Sequence, residues 1–228
     1  MAPLRVRGLR STSVYRRQEL SSNLHVMTFR EAVLSRTWLF KLFGKITARP
    51  NRDIIVEDYI RPAKGDLVLD VGCGFGELSS RLEQTNYTGI DISPKYIKYA
   101  NQKYGNFGRF ICGDITKDSE IEHLGQFDIV TIIGVLHHLS DNDCRTLLSS
   151  VKRRLTSTGR LVTLDGVFTQ DQSIIARLLL RTDRGRFVRT EEHYRKLLSE
   201  QFDISTGDIR TDLLAIPFTH FATVCHPR

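Results

Sequence analysis

The amino-acid sequence predicts an α/β protein: a single doubly wound, Rossmann-like domain with a mostly parallel sheet, an antiparallel C-terminal edge strand pair and an N-terminal helical cap. Three observations lead to this prediction. Apolar, strand-like segments alternate with helix-like segments from residue 67 to residue 164, a pattern typical of parallel sheets covered on both faces. A glycine-rich turn follows the first strand directly. Finally, 228 residues suit one well-packed domain with modest extensions.

The N-terminal region carries most of the net charge. Residues 1–26 contain five arginines against one glutamate, a balance of +4 within the formal +7 of the whole chain. We expect them to form a disordered basic extension; a transit peptide and translation from upstream of the true start are the alternatives. A capping box at Thr28 and Glu31 then opens a helix. Residues 27–62 are predicted to form a helical cap, which either lies over the ligand-binding end of the sheet or packs on its edge.

The hydrophobic periodicity assigns the remaining elements within a domain of residues 63–228. Strands are predicted at Leu67–Val71, Tyr87–Asp91, Arg109–Cys112, Phe127–Ile133 and Arg160–Leu164. Helices are predicted at about 28–47 and Asp53–Ile60 in the cap, then at Glu77–Gln84, from Pro94 with Ser93 as N-cap, at about 119–124, and at Ser140–Leu155. After Asp165 the alternation stops. An insertion over about 166–200 is predicted there, with helices Gln170–Leu180 and Glu191–Glu200 before closing strands Phe202–Arg210 and Ile216–Cys225.

The composition restricts the class of protein. An apolar share of 40% and a charged share of 26% are ordinary for a globular chain, which argues against wholesale disorder and against a membrane bundle. No apolar run approaches the ~20 residues of a membrane span. The four cysteines show neither a C-x-x-C pair nor a metal-like spacing, so we predict no metal site. Isolated thiols fit a reducing compartment, and we expect a cytoplasmic protein.

The turn after the first strand, Asp70-Val-Gly-Cys-Gly-Phe-Gly76, carries the chemistry; we call it the glycine loop. Its glycines at 72, 74 and 76 let a ligand approach the main chain closely. The dinucleotide fingerprint G-x-G-x-x-G would require glycine at position 77, which is Glu77. The Asp70 carboxylate would repel a pyrophosphate and attract an ammonium group. The glycine loop therefore favours a cationic, phosphate-free ligand over a nicotinamide dinucleotide.

This loop resembles motif I of the class I S-adenosylmethionine-dependent methyltransferases of the small-molecule type, and the resemblance extends over about residues 65–165. It implies that Asp91 accepts hydrogen bonds from the ribose hydroxyls and that Asp114 receives the adenine amino group, with Ile92 and Ile115 on either side of the ring. It also implies that the backbone near residue 134 passes the methionine part. The expected S-adenosylmethionine-binding residues are Asp70, Gly72, Cys73, Gly74, Gly76, Asp91, Ile92, Asp114, Ile115, Gly134 and Val135.

His137 and His138 follow the fourth strand, where an acceptor would meet the methyl donor. Because the sulfonium is already a good leaving group, alignment of the reactants does much of the work. A base helps only where the acceptor must lose a proton, a task that suits imidazole. We predict His137 as the candidate catalytic base; the alternative is that it merely packs near the cofactor.

The segment Arg177–Lys196 is rich in arginine and lies between strands five and six, where this family inserts substrate-recognition elements. Guanidinium groups there would hold a phosphate or carboxylate on the acceptor. The alternative is a solvated helix face with intramolecular ion pairs. We therefore describe residues 166–200 as a substrate-side insertion.

The predicted function is transfer of a methyl group from S-adenosylmethionine to a small molecule, at oxygen, with nitrogen and carbon as the alternative acceptor atoms. RNA or protein methylation is an alternative, disfavoured because Gly134-Val-Leu-His-His138 stands where an Asn/Asp-Pro-Pro-Tyr-like motif would be. A nucleic-acid partner is also disfavoured, since the core shows no basic stripe with interleaved aromatic residues. A catalytically inactive S-adenosylmethionine-binding protein is a further alternative. The acceptor and the oligomeric state are left open.

Overall fold

A computed structural model describes residues 54–117, 124–182 and 185–228. All of these residues belong to one compact unit, Trp38–Arg228. The predicted basic extension, the first cap helix and most of the helix predicted at about 119–124 lie outside the described residues.

The described residues contain one mixed sheet whose main path has the order β3-β2-β1-β4-β5-β8-β7, with β6 paired to β5 off this path. The strands are β1 Leu67–Val71, β2 Asn86–Asp91, β3 Arg109–Cys112, β4 Phe127–Ile133, β5 Leu155–Phe168, β6 Arg189–Thr190, β7 Phe202–Arg210 and β8 His220–Pro227. Strands β1 to β5 pair in parallel along this path, whereas β8 pairs antiparallel with both β5 and β7. The predicted doubly wound sheet with its antiparallel C-terminal pair is confirmed.

Four α-helices flank the sheet in the described ranges: α1 Pro94–Tyr104, α2 Asp141–Arg154, α3 Ile174–Thr182 and α4 Glu191–Ser199. Three of them begin at a capping side chain. Ser93, Ser140 and Thr190 each accept a hydrogen bond from the backbone N–H three residues on, which satisfies one of the donors that a helix start leaves unpaired. The helix starts predicted from Ser93 and Ser140 are therefore confirmed.

The helix predicted at Glu77–Gln84 is wrong: this stretch contains only a 3-10 turn, Ser79–Arg81. The hydroxyls of Ser79 and Ser80 donate to the carbonyls three residues back. Such side-chain bonds compete with α-helical pairing. Backbone bonds in this stretch also run three residues back, as from Leu82 N–H to the Ser79 carbonyl, which is the 3-10 pattern.

Several other boundaries differ from the prediction: β5 covers Leu155–Phe168 rather than Arg160–Leu164, and α3 covers Ile174–Thr182 rather than Gln170–Leu180. The second cap helix is a single π-helical turn, Ile55–Ile60, which ends at Arg61 in the left-handed region with φ 45°. The last strand begins at His220 rather than at Ile216, because Pro217 has no N–H to donate to the ladder.

Apolar side chains fill both sides of the sheet. On one side, Leu148 of α2 and Leu198 of α4 are buried in a cluster with the strands. On the other side, Ile60 of the π-helical turn and Ala100 of α1 belong to a second buried cluster. This double packing holds the carboxyl ends of β1, β2, β4 and β5 in a row, which is where ligands bind in open α/β sheets.

None of the helices in the described ranges is long and apolar enough to cross a membrane.

Candidate active site

The glycine loop is tied to the carboxyl end of β2 by backbone bonds. The N–H groups of Gly72 and Cys73 donate to the Ile90 carbonyl at 2.8 and 3.1 Å. Gly72 has φ +73°, and a Cβ added there would lie 2.5 Å from Val135 Cγ2. A side chain at position 72 would therefore collide with the turn after β4. The loop and that turn, both predicted to contact the cofactor, lie against each other.

The neighbouring glycine, Gly74, faces open space. It has φ +55°, and a Cβ added there would meet nothing nearer than the Gly72 carbonyl oxygen at 4.0 Å. Its N–H donates to Asp91 Oδ2 at 3.0 Å. The main chain is therefore accessible to a ligand at Gly74, whereas a Cβ at Gly76 would lie 2.6 Å from the Phe110 ring.

Asp91 stands at the end of β2 and orders the loop beside it. Its Oδ1 accepts from the Ser93 N–H at 2.8 Å, while Oδ2 accepts from Gly74. Burial raises the pKa of this carboxyl, and the two backbone donors oppose that shift. Each carboxylate oxygen can accept more than one hydrogen bond, so these contacts leave Asp91 chemically able to receive hydroxyl groups as well.

Asp70 lies inside the sheet rather than on its rim. The carboxyl is buried and accepts from Tyr87 Oη at 2.6 Å and from Thr131 Oγ1 at 2.7 Å. Burial raises its pKa, and the two hydroxyl donors oppose that shift. Asp70 thus joins β1 to side chains of β2 and β4. The sequence analysis predicts that Asp70 faces an ammonium group of the ligand. In the structure its carboxylate already accepts hydrogen bonds from two neighbouring side chains.

Cys73 is a structural thiol in this environment. Burial, followed by the negative charges of Asp70 and Asp91, raises its pKa well above the usual range. The thiol packs against β2, since a Cβ on Gly89 would lie 2.8 Å from its sulfur. Cys73 therefore stays protonated and contributes shape and backbone, not a nucleophile.

The residues predicted around the adenine lie after β2 and β3. Asp114 Oδ1 accepts from the Thr116 N–H at 2.9 Å and from Thr116 Oγ1 at 2.7 Å, a turn-forming pattern. Ile115 is buried in the core, with 5% of its surface exposed, whereas Ile92 is half-buried. Ile92 consequently offers more accessible surface than Ile115 for a flat ring to contact.

The turn after β4 brings His137 onto β5. Gly134 donates its N–H to the Leu164 carbonyl at 2.7 Å, and a 3-10 turn, Leu136–His138, follows. His137 Nδ1 lies 2.7 Å from Asp165 Oδ1, and the His137 backbone N–H donates to the same oxygen at 3.1 Å. This double contact fixes both the main chain and the ring of His137.

Asp165 is a functional candidate that the sequence reasoning did not single out. It lies in β5, is 2% exposed, and its Oδ2 has no hydrogen-bond partner in the described ranges. One signal was available: like Asp70 and Asp91, it is an acid near the carboxyl end of a predicted strand. Its partner, His137, lies 28 positions earlier in the chain, so only the fold reveals the pair.

Arg189 also holds the turn that carries His137, and it too was missed as a specific residue. The buried guanidinium donates to the carbonyls of Leu136 at 2.9 Å, Leu139 at 2.6 Å and Phe187 at 2.9 Å. It further donates through Nε and Nη2 to Asp141 Oδ1 at 3.0 and 2.8 Å. We refer to His137, Asp165 and Arg189 as the His137 cluster.

Three arginines of the substrate-side insertion are thus engaged within the protein. Besides Arg189, Arg177 donates to the Thr169 carbonyl at 2.9 Å. Arg195 donates to Glu191 at 2.8 Å and to the Gly207 carbonyl at 3.0 Å. For these three side chains the geometry favours the alternative of intramolecular pairing over recognition of an anionic acceptor.

His220, at the start of β8, adds a second imidazole near the cluster. Burial, and then the positive charge of His137 nearby, lowers its pKa to about 4. Its Nδ1 is enclosed and has no hydrogen-bond partner in the part of the chain that the structure describes. The ring stacks near Phe218, with 4.8 Å between centroids. His220 is therefore neutral at physiological pH.

The contact between His137 and Asp165 defines what the cluster can do chemically. When Nδ1–H donates to the Asp165 carboxylate, the basic nitrogen of the ring is Nε2. The carboxylate also stabilises the imidazolium that forms when Nε2 takes a proton, an arrangement shared by general bases on unrelated folds. Within the described ranges no group of three or more metal-ligating side chains is present.

A second concavity lies at the other end of the sheet and is unrelated to these residues. It is an open groove of about 590 Å³ lined by residues at the starts of β1 to β4, among them Leu67, Asn86, Arg109 and Phe127. Because ligands of open α/β sheets bind at the carboxyl ends of strands, this groove is not the candidate active site.

Comparison with known proteins agrees with this geometry. Residues 68–159 match the family of methyltransferase domains. Over 84 residues the chain is 36% identical to the ubiquinone biosynthesis O-methyltransferase of Thiobacillus denitrificans, a match that covers 35% of this chain and 36% of that protein. A TehB-like SAM-dependent methyltransferase from Corynebacterium glutamicum has a TM-score of 0.57 at 22% identity, covering 74% of this chain and 84% of that one. The magnesium protoporphyrin IX methyltransferase of Synechocystis, solved with bound SAH (S-adenosylhomocysteine), has a TM-score of 0.55 at 23% identity and covers 72% and 74%.

Residues 68–159 therefore belong to the methyltransferase domain family, and the described sheet has the fold of class I S-adenosylmethionine-dependent methyltransferases. The resemblance found in the sequence and the predicted fold class are both confirmed. The chain spans only about a third to a half of the length of the curated relatives that it matches. The match covers 36% of the first of these relatives and 52% of the second.

Proposed function

We propose that this protein transfers a methyl group from S-adenosylmethionine to a hydroxyl oxygen of a small-molecule acceptor. The observation that carries the proposal is the contact of 2.7 Å between His137 Nδ1 and Asp165 Oδ1, formed where the glycine loop meets the turn after β4. A base held by a carboxylate, in the turn that lies against the glycine loop, suits an acceptor hydroxyl that must lose its proton.

The glycine loop fits the cofactor in one specific respect. Gly72 packs against the turn after β4, whereas the space beside Gly74 is open. We call this open space on one side of the main chain the cradle. Asp91 would hold the ribose hydroxyls, and Asp114 with Ile92 and Ile115 would hold the adenine. The remaining predicted contacts are Gly72, Cys73, Gly76, Gly134 and Val135. Asp70, engaged by Tyr87 and Thr131, would act on an ammonium group through its charge.

His137 performs the proton transfer in this proposal. S-adenosylmethionine, when bound, supplies an activated methyl group on a sulfonium. His137 Nε2 accepts the proton that the acceptor hydroxyl loses, and Asp165 stabilises the resulting imidazolium. Arg189 keeps the carbonyls of Leu136 and Leu139 in place, so that the imidazole stays aligned with the acceptor. A positioned base of this kind contributes about a hundredfold to ten-thousandfold in rate.

Two observations support a small acceptor methylated at oxygen. The matched curated relative is named as an O-methyltransferase of ubiquinone biosynthesis, and an imidazole base suits an oxygen acceptor that carries a proton. A phosphate or carboxylate on the acceptor has less support, since Arg177, Arg189 and Arg195 bond within the protein. The cytoplasmic location remains a prediction from the scattered thiols.

Calorimetric titration with S-adenosylhomocysteine tests the cofactor first. We expect binding by the full chain, and absence of binding would overturn the proposed function. Transfer of an isotope-labelled methyl group to a panel of phenols, catechols, amines and carboxylic acids then tests the acceptor. If none of these compounds is methylated although S-adenosylhomocysteine binds, the result would indicate a catalytically inactive cofactor-binding protein.

His137→Gln separates the proton-transfer role from the binding role. We expect the variant to bind S-adenosylhomocysteine as the wild type does and to lose about a hundredfold or more in kcat. His138→Gln, a change of the half-buried neighbour, is the matched control and should retain most of the activity. Equal kcat in the wild type and in His137→Gln would show that no base is used there.

A further inference from the structure

The substrate-side insertion presents an apolar surface that the methyltransferase site does not use. In α3, Ile174 is 87% exposed, Ile175 63% and Leu178 59%. Large aliphatic side chains exposed singly are ordinary, but a contiguous group marks an interaction surface. These three belong to one nine-residue helix.

The two sides of α3 differ in burial and in character. Ala176 and Leu180 face the protein and are buried, and Leu180 packs at Gly166 near the end of β5. At about 3.6 residues per turn, Ile174 and Leu178 lie on the opposite side. One apolar side of the helix therefore anchors it to the protein. A second apolar side is exposed, and packing within the part of the chain that the structure describes does not account for it.

Positive charge borders this exposed apolar surface. Arg181 is exposed and falls on the same side of the helix as Ile174 and Leu178, one turn beyond Leu178. The α3 sequence, Ile-Ile-Ala-Arg-Leu-Leu-Leu-Arg-Thr, contains no acid. Exposed aliphatic side chains bordered by an arginine match the chemistry of an anionic lipid surface, where apolar groups enter the acyl boundary and cations meet the headgroups.

We propose that α3 docks this protein on anionic lipid membranes, with Ile174, Ile175 and Leu178 inserted at the interface and Arg181 on the headgroups. The helix lies on the surface and does not span it, which agrees with its length of nine residues. This binding is independent of methyl transfer, so it can be tested without an acceptor.

Sedimentation of the full chain with vesicles tests the proposal. The probes are vesicles of pure phosphatidylcholine and vesicles of equal parts phosphatidylcholine and phosphatidylserine. We expect binding to the second kind, weakened by salt because the charges at the surface are screened. No sedimentation with the anionic vesicles at low salt would overturn the proposal.

Two variants and their matched controls localise the effect. The triple variant Ile174→Gln, Ile175→Gln, Leu178→Gln keeps good helix-forming residues at exposed positions, and we expect its partition coefficient to fall about tenfold or more. Arg181→Glu should also weaken binding, and chiefly to the anionic vesicles. Leu67→Gln and Arg109→Glu change an exposed apolar and an exposed basic residue at the opposite end of the sheet and should bind as the wild type does.

Other occupants of the surface give different results. If the exposed side chains join two copies of the chain, light scattering will show a dimer that the triple variant loses, and vesicle binding will not depend on α3. If another segment of the same chain covers α3, hydrogen exchange will show the helix protected without vesicles and unchanged on their addition. Either result overturns the membrane proposal, while S-adenosylhomocysteine titration reports separately on the proposed function.

Discussion

The two halves of the candidate site are built in different ways. The cofactor half, formed by the glycine loop and the ends of β2 and β3, relies on backbone N–H groups and on positive φ angles. The acceptor half, formed by the His137 cluster, relies on side chains that come from the turn after β4, from β5 and from the substrate-side insertion. A backbone site is encoded in a short stretch of sequence, whereas a side-chain site is assembled only when distant segments pack. The four predictions below test this contrast.

The largest effect is expected for the carboxylate that holds the imidazole. Asp165→Asn keeps the shape of the side chain but removes its charge, so the imidazolium loses its counter-ion. We expect kcat for methyl transfer to fall by about a hundredfold to ten-thousandfold, with KM changed little.

Two further variants serve as controls for Asp165→Asn. Asp165→Glu restores the carboxylate and should recover part of the rate, which a purely structural defect would not allow. Asp128→Asn changes an acid at the other end of the sheet, where it accepts from the Leu67 N–H, and should leave kcat unchanged. An Asp165→Asn enzyme with wild-type kinetics would contradict the proposed role of the pair.

The next largest effect is expected for the buried arginine of the acceptor half. Arg189→Ala leaves the carbonyls of Leu136 and Leu139 without their donor inside the protein. We expect the free energy of unfolding, measured by urea denaturation, to fall by about 3–5 kcal/mol, because each buried carbonyl left without a donor costs about 1–3 kcal/mol. Arg145→Ala is the control, since that arginine forms an exposed ion pair with Glu200 at 2.8 Å and should have a much smaller effect. Equal losses of stability in Arg189→Ala and Arg145→Ala would contradict the predicted difference between a buried and an exposed arginine.

A smaller and sharper test compares two glycines of the cofactor half. Both have positive φ, but only Gly72 lies against another residue, Val135. We expect Gly72→Ala to reduce the free energy of unfolding by about 2–4 kcal/mol, from backbone strain plus overpacking. Gly74→Ala should cost only the strain, about 1–2 kcal/mol, while its Cβ enters the cradle and weakens S-adenosylhomocysteine binding. If Gly74→Ala were less stable than Gly72→Ala, the result would contradict the contacts described for the glycine loop.

The smallest effect concerns pH and the imidazole beside the acceptor half. The pKa of His220 is lowered from 6.5 to about 4 in the folded state, so the unfolded state binds more protons between these values. Stability is therefore expected to fall as the pH drops from about 6.5 to about 4. Since His220 is only half-buried, we expect a loss of about 1–2 kcal/mol. Denaturation curves of His220→Gln should lack this loss, whereas the exposed His226→Gln should retain it; an identical pH profile for the wild type and His220→Gln would contradict the prediction.

Local patterns in the sequence predicted much of the fold. The strand at Leu67–Val71 and the capped start at Ser140 were found because alternation and N-cap side chains act within a few residues. The helix at Glu77–Gln84 was predicted wrongly because the apolar spacing outweighed the hydroxyls of Ser79 and Ser80, whose bonds to nearby carbonyls favour a tighter turn. The late start of β8 was missed in a similar way, since Pro217 was not weighed against the apolar run.

The sequence by itself predicted the methyltransferase domain through the resemblance of the glycine loop, whose glycines allow positive φ and close backbone approach at positions that few other residues can occupy. It also placed His137 correctly after the fourth strand. Only the tertiary structure paired that histidine with Asp165, enclosed the guanidinium of Arg189 under the same turn, and left Ile174, Ile175 and Leu178 exposed among the described residues. The physical reason is that contacts between side chains far apart in the chain depend on strand order and packing, which no local pattern specifies.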